Sequence, residues 1–154
     1  MAAIDGATVR ELSFYEDTRG RLMEILRCDD PEFEKFGQVY LTTARPGVVK
    51  AWHHHRLQAD NFTVVKGAMR LVLYDNRENS PTRGNVMEVI VSEHRPRLVH
   101  IPKMVLHGFQ ALPPEEAIVI NTVSEAYNRT APDEYRLPPD TPEVPFDWYK
   151  RVDG

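Results

Sequence analysis

Residues 47–67, GVVKAWHHHRLQADNFTVVKG, decide how the rest of the chain is read. They place His53 and His55 two residues apart, Asp60 five residues later and Gly67 seven beyond that. Side chains two apart on a strand share a face, so His53 and His55 converge while His54 points away. Residues 101–109, IPKMVLHGF, add a third imidazole at His107. Three imidazoles and a carboxylate converging inside a small β-barrel make either a metal site or a proton-transfer site.

The flanking sequence supports a β-protein. The runs 38–43, 48–54, 61–65, 69–74, 86–91, 97–101 and 118–123 are short and β-rich, separated by turns bearing Gly, Pro, Asn or Asp. That spacing predicts an antiparallel sandwich or barrel. Residues 65–69, VKGAM, read as a hairpin turn. In the run that follows, Met69, Leu71 and Leu73 share one face and Arg70, Val72 and Tyr74 the other, as in a half-buried strand. Residues 31–36, PEFEKF, allow at most a turn or two of helix. Seven of the twelve prolines follow residue 112, so the C-terminal stretch is expected to run extended across the barrel. Tyr127, Tyr135, Phe146, Trp148 and Tyr149 supply the aromatic area to dock it.

At 154 residues the chain is expected to be one domain, spanning 1–154, with a core that needs no disulfide staple. A formal net charge of −4 gives no reason to expect nucleic acid as a partner. No apolar run approaches the ~20 residues of a membrane span. The lone Cys28 excludes an intrachain disulfide, reads as an inert thiol and fits a cytoplasmic setting.

These residues resemble two related patterns. Gly47, His53, His55, Asp60 and Gly67, followed by Pro102 and His107, resemble the general cupin signature, with Asp in place of its Glu. Over most of the chain the likeness is to the dTDP-4-dehydrorhamnose 3,5-epimerase family, a specialised jelly-roll cupin. Its motifs are matched by Asp17-Thr18-Arg19-Gly20 with Leu22 and Glu24, by Gln38, by KAWH at 50–53, by DNRENSPTRG at 75–84 and by IPKMVLHGF. The resemblance implies an all-β jelly-roll cupin barrel, a homodimer and no required cofactor. It implies that His53 is the catalytic base, oriented by Asp140 in LPPDTPEVPFDW, with His107 also in the site. Arg19, Glu24 and Gln38 would contact the nucleotide, and Tyr127 stands where the family has an aromatic near the sugar or base.

The chain departs from that family at several site positions. The family's general-acid Tyr aligns with Asn121, its site Lys with Asp60, its barrel Asp with Leu71 and its Arg before the base with Lys50. Lys50 and Asn121 are therefore read as substrate-binding positions, and Tyr127 as the substitute acid. Where the family has H-x-Q and a Lys, His55 and Asp60 rebuild the ligand set of metal-binding cupins. His53, His55, Asp60 and His107 would suit zinc, iron, nickel or manganese, and a metal could carry the enolate charge that the Lys otherwise would. A hydrogen-bonded pocket without metal fits the same residues.

The reading is an epimerase or isomerase that removes a proton beside the ketone of a dTDP-4-keto-6-deoxyhexose. Histidine suits that step, with an unperturbed pKa of about 6.5. The rivals are a metal-dependent cupin of another class (dioxygenase or isomerase) and a catalytically silent nucleotide-sugar-binding cupin. His94 and His100 lack spacing partners and read as surface or strand-face residues. Asp75 and Arg77 read as the brace of a turn.

Overall fold

Turns built on glycine, proline and aspartate cut the chain into twelve strands and no helix in the computed structural model, which describes residues 2–150. The strands are β1 (Thr8–Glu11), β2 (Phe14–Asp17), β3 (Gly20–Met23), β4 (Gln38–Ala44), β5 (Val49–His54), β6 (Asp60–Lys66), β7 (Ala68–Tyr74), β8 (Val86–Ser92), β9 (Arg97–Ile101), β10 (Leu106–Ala111), β11 (Ala117–Val123) and β12 (Tyr135–Arg136). They form two five-stranded sheets, ordered β1-β9-β6-β11-β4 and β12-β5-β10-β7-β8, and a separate β2-β3 hairpin. Every pairing is antiparallel. This is the all-β organisation of a jelly-roll cupin.

The seven expected strands are all present, each with ends within one residue of the expected bounds. Strand β10 lies inside the 101–109 motif and its continuation, where no strand was expected. In PEFEKF, Pro31 and Glu32 lie in a turn and the other four residues have no regular structure.

The facing sides of the two sheets share one core. Phe62, Val64, Val99 and Val119 from the first sheet meet Met69, Leu71, Leu73 and Phe109 from the second. The expectation for β7 needs correction, because it is not half-buried. Its opposite face is covered too: Val72 packs with Trp52, Leu106, Val144 and Trp148 in a second apolar cluster. The Pro-rich segment builds that cluster. Trp148 lies 5.0 Å from Trp52 between ring centroids, and Trp52 Nε1 donates to the Pro139 carbonyl at 3.3 Å. Arg70, also on this face, pairs with Glu88 at 2.8 Å and lies over the Phe146 ring. A strand covered on both sides has no solvated face and loses its alternation.

Two glycines hold close approaches. Gly67 adopts φ +73° in the β6–β7 turn, and a Cβ there would stand 2.4 Å from the Glu116 carbonyl oxygen. A Cβ on Gly108 would stand 2.3 Å from that of Ala51, so the glycine of the H-G-F motif lets β10 lie against β5. The pairing runs from His107↔His53 to Phe109↔Lys50, three residues on β5 against two on β10. This bulge accommodates an extra residue on β5 while keeping His53 opposite His107.

The turn after β7 is built on Asp75, which is fully buried. Its carboxylate accepts from Arg77 Nε at 2.9 Å, Ser80 Oγ and Thr82 Oγ1 at 2.6 Å, as the reading of a turn brace anticipates. Burial pushes this carboxyl up, but those donors outweigh it and hold it well below the usual carboxylate range. The stabilisation is therefore present above the unfolded-state pKa of about 4 and is lost as pH falls from there towards the folded value. Asp75→Asn should lower unfolding free energy near neutral pH by about 3 kcal/mol. The gap between variant and wild type should narrow below about pH 4, as urea denaturation at both pH values would read.

Candidate active site

A cavity of about 1070 Å³ opens between the two sheets, large for a small-molecule site (~300–1,000 Å³). Strands β5 and β10 bring His53 and His107 to its wall from one sheet, and His55 joins them from just past the end of β5. Strand β4 brings Gln38, Tyr40 and Thr42 from the other, all on one face by two-residue alternation. His54 points away, stacked on Tyr135 at 5.1 Å.

Asp60, at the start of β6, is the buried charge of the site, with 1% of its surface exposed. Its Oδ1 accepts from Gln58 Nε2 at 2.8 Å and from Asn121 Nδ2 at 2.9 Å. Its Oδ2 faces His55 Nε2 at 3.4 Å and His107 Nε2 at 3.5 Å. Both distances are longer than a good hydrogen bond. His55 Nδ1 bonds the Asp133 carbonyl and His107 Nδ1 the Val105 carbonyl at 3.1 Å. A carbonyl only accepts, so each Nδ1 carries a proton. Burial pushes the His107 pKa down against the opposing charge of Asp60.

Asn121 is the hinge of the polar network. Its Oδ1 accepts the Asn61 backbone N–H at 3.0 Å, which sets the amide orientation. Its Nδ2 then reaches both Asp60 and the Tyr40 hydroxyl, the latter at 2.7 Å. Burial, and then the charge of Asp60, push the Tyr40 hydroxyl pKa up, so the phenol stays protonated.

His53 stands apart from Asp60. Its Nδ1 faces Glu134 Oε1 at 3.4 Å, and it does not join the group formed by His55, Asp60 and His107, whose ligand atoms lie within 4.8 Å of one another. Burial pushes the His53 pKa down, with Glu134 partly opposing, so the imidazole is neutral near pH 7.

The expectation that Asp140 orients His53 is corrected here. Asp140 is exposed and forms no ion pair with His53. Pairing of Tyr135 and Arg136 in β12 with His54 and His53 sets Glu134 beside the imidazole. A turn closed by Thr141 N–H to the Pro138 carbonyl then carries Asp140 outwards. Nearby, Asp133 accepts the backbone N–H groups of Arg56, Leu57 and Gln58, which fixes the loop between β5 and β6. Of the four metal candidates, His55, Asp60 and His107 come together and His53 does not.

Among the substrate-binding candidates, Gln38 and Lys50 line the cavity, and Lys50 Nζ bonds Thr42 Oγ1 at 3.2 Å. Asn121 is buried behind it. Arg19 and Glu24 do not line it: Arg19 pairs with Asp17 on the β2-β3 hairpin, and Glu24 with Arg27 just beyond. Tyr127 lines the opening, 54% exposed, with its backbone N–H bonded to Gln38 Oε1. His100 is buried on β9 against Asn61, at 2.9 Å.

Residues 1–153 match the family described as dTDP-4-dehydrorhamnose 3,5-epimerase. The chain belongs to that family. It is 37% identical to a probable low-salt glycan biosynthesis epimerase, Agl13, of Haloferax volcanii, with all of both chains covered. It is 38% identical to the spore coat polysaccharide biosynthesis protein SpsL of Bacillus subtilis, covering 94% of this chain and 96% of that one. Its fold superposes on a crystal structure of a dTDP sugar isomerase from Desulfovibrio desulfuricans G20 with TM-score 0.90 and 35% identity, covering 96% and 94% of the two chains. Membership makes it a carbohydrate epimerase of the cupin type.

Within the 3,5-epimerase family this chain's site has two members that the sequence reading missed. Glu134 follows no motif, and only the strand pairing of the tail reveals it. Tyr40 left a signal: it stands two residues after Gln38 in QVYLTT, so it shares the face on which Gln38 was expected.

Proposed function

We propose that the protein epimerises a dTDP-linked 4-keto-6-deoxyhexose, with His53 taking the proton from the carbon beside the ketone. The observation that carries this reading is His53 itself, a neutral imidazole on the cavity wall with a carboxylate, Glu134, 3.4 Å from its Nδ1. Glu134 favours the tautomer that leaves Nε2 free as base and stabilises the imidazolium that forms. Lys50 and Arg136 on the cavity wall offer positive charge to a diphosphate, and Gln38 and Tyr127 frame the opening for the nucleoside. Cys28 is an exposed free thiol, in keeping with a cytoplasmic setting. No helix among the described residues is long and apolar enough to cross a membrane.

Incubation with dTDP-4-keto-6-deoxyglucose in D2O, followed by NMR of the protons beside the ketone, should show exchange. His53→Ala should slow it by at least about a hundredfold. Glu134→Gln should slow it more than about tenfold, whereas Asp140→Asn should not. The opposite ranking would return the orienting role to Asp140.

A second reading adds a divalent transition metal to the same pocket. With each Nδ1 on a carbonyl, His55 and His107 turn Nε2 towards the Asp60 carboxylate, and burial pushes the His107 pKa down, so a cation between the three groups would complete the arrangement. The separations of 3.4 and 3.5 Å match the edge of roughly 3.4 Å expected between ligands of a tetrahedral ion such as zinc. His55, Asp60 and His107 would hold it, and the ion would supply the charge that stabilises an enolate. Zinc should raise the melting temperature of chelator-treated protein and fail to do so in His107→Ala. Equal melting curves with and without metal would sink this reading.

The homodimer is likewise a proposal. β4 ends its sheet, with Val39 and Leu41 exposed on the face away from the cavity, and the β2-β3 hairpin exposes Tyr15 and Leu22. Sedimentation at micromolar concentration should find a dimer, and Leu41→Glu should dissociate it.

A further inference from the structure

Inversion needs a proton returned to the face opposite the one from which it left. Asn121 cannot be the acid, since a neutral amide is far too weak to serve. Among the described residues lining the cavity only Tyr40 and Tyr127 carry phenols, and Tyr127 is mostly exposed at the opening. We propose that Tyr40 is the proton donor of this epimerase, its hydroxyl presented to the cavity by Asn121 on the neighbouring strand.

Four observations carry the assignment, which rests on the sugar-epimerase reading above. Tyr40 and Asn121 are register partners on β4 and β11, so their side chains lie side by side on the inner face. Tyr40 comes from the sheet opposite the one that holds His53, which puts acid and base on facing walls. Asn121 has no choice of orientation. Its oxygen is taken by the Asn61 N–H, so its amide group donates to the Tyr40 oxygen and leaves that hydroxyl's own hydrogen free. The same Asn121 N–H would also stabilise the phenolate left after the proton is given up. Finally, Tyr40 keeps 37% of its surface exposed, so the ring is not sealed into the core.

The step balances as follows. His53 accepts the proton as the C–H bond breaks, and the bonding pair moves towards the ketone oxygen as an enolate. The enolate pair then forms a new C–H bond with the Tyr40 proton on the other face, and the ketone returns. The phenolate regains a proton and the imidazolium loses one, both by exchange with solvent.

The test separates proton removal from inversion. With dTDP-4-keto-6-deoxyglucose in D2O, wild type should exchange the proton beside the ketone and invert the carbon. Tyr40→Phe should keep exchange within about threefold while inversion falls by about a hundredfold or more. Inversion that survives in Tyr40→Phe overturns the assignment, as does equal loss of exchange and inversion in a folded variant. Inversion lost in Tyr127→Phe but kept in Tyr40→Phe also overturns it. Wild type that neither exchanges nor inverts this sugar overturns the proposed function, and this assignment with it. Should Tyr40→Phe misfold, 2,6-difluorotyrosine at position 40 retains the hydroxyl and makes it more acidic. It should change the inversion rate and leave exchange alone, and an unchanged ratio of the two would overturn the assignment.

Discussion

The buried carboxylate of Asp60 is the constraint around which the site is arranged. A charge almost wholly removed from water is tolerated only if its oxygens are met by donors or cations. Two amide donors, Gln58 and Asn121, satisfy one oxygen, and two imidazoles face the other. Because Asp60 and Asn121 belong to one sheet and His107 to the other, with His55 just past the end of β5, this carboxylate links the two sheets beside the cavity. Each partner is in turn held by a backbone group: Asn121 by Asn61, His55 by Asp133 and His107 by Val105.

That arrangement divides labour among the histidines. His55 and His107 face Asp60, while His53 stands beside Glu134 on the cavity wall. Asn121 couples the two halves, since a single amide reaches both Asp60 and Tyr40. Where the epimerase family places a phenol and an ammonium, this chain places an amide and a carboxylate. Under the proposals above, the phenol returns on the adjacent strand at Tyr40, and a divalent cation held by His55, His107 and Asp60 would supply the missing positive charge.

The tail matters to the site as much as to the fold. Trp148 and Val144 cover the outer face of β7 and β10, so the strands that carry His107 and the core are buried on both sides. The same segment, paired with β5 through two residues, delivers Glu134 to His53 and Asp133 to the loop before Asp60. Docking of an apolar surface on one side of the sheet thereby positions charge on the other.

Much of this was legible from residue order. Seven strands followed from β-rich runs between turn residues, and the placing of His53 and His55 on the cavity side, with His54 away from it, followed from alternation. The Asp75 turn could be read from local spacing alone. Local rules reach that far because a turn or a strand face depends on neighbours a few residues away. The second burial of β7, the exchange of Asp140 for Glu134 and the pairing of Tyr40 with Asn121 were not legible. Each depends on chain segments from about 70 to more than 80 residues apart being brought together by sheet pairing and apolar docking. The sequence by itself determined an all-β cupin with histidines gathered beside Asp60. Only the tertiary structure decided which carboxylate meets which histidine, because a one-residue difference in register turns a side chain to the opposite face.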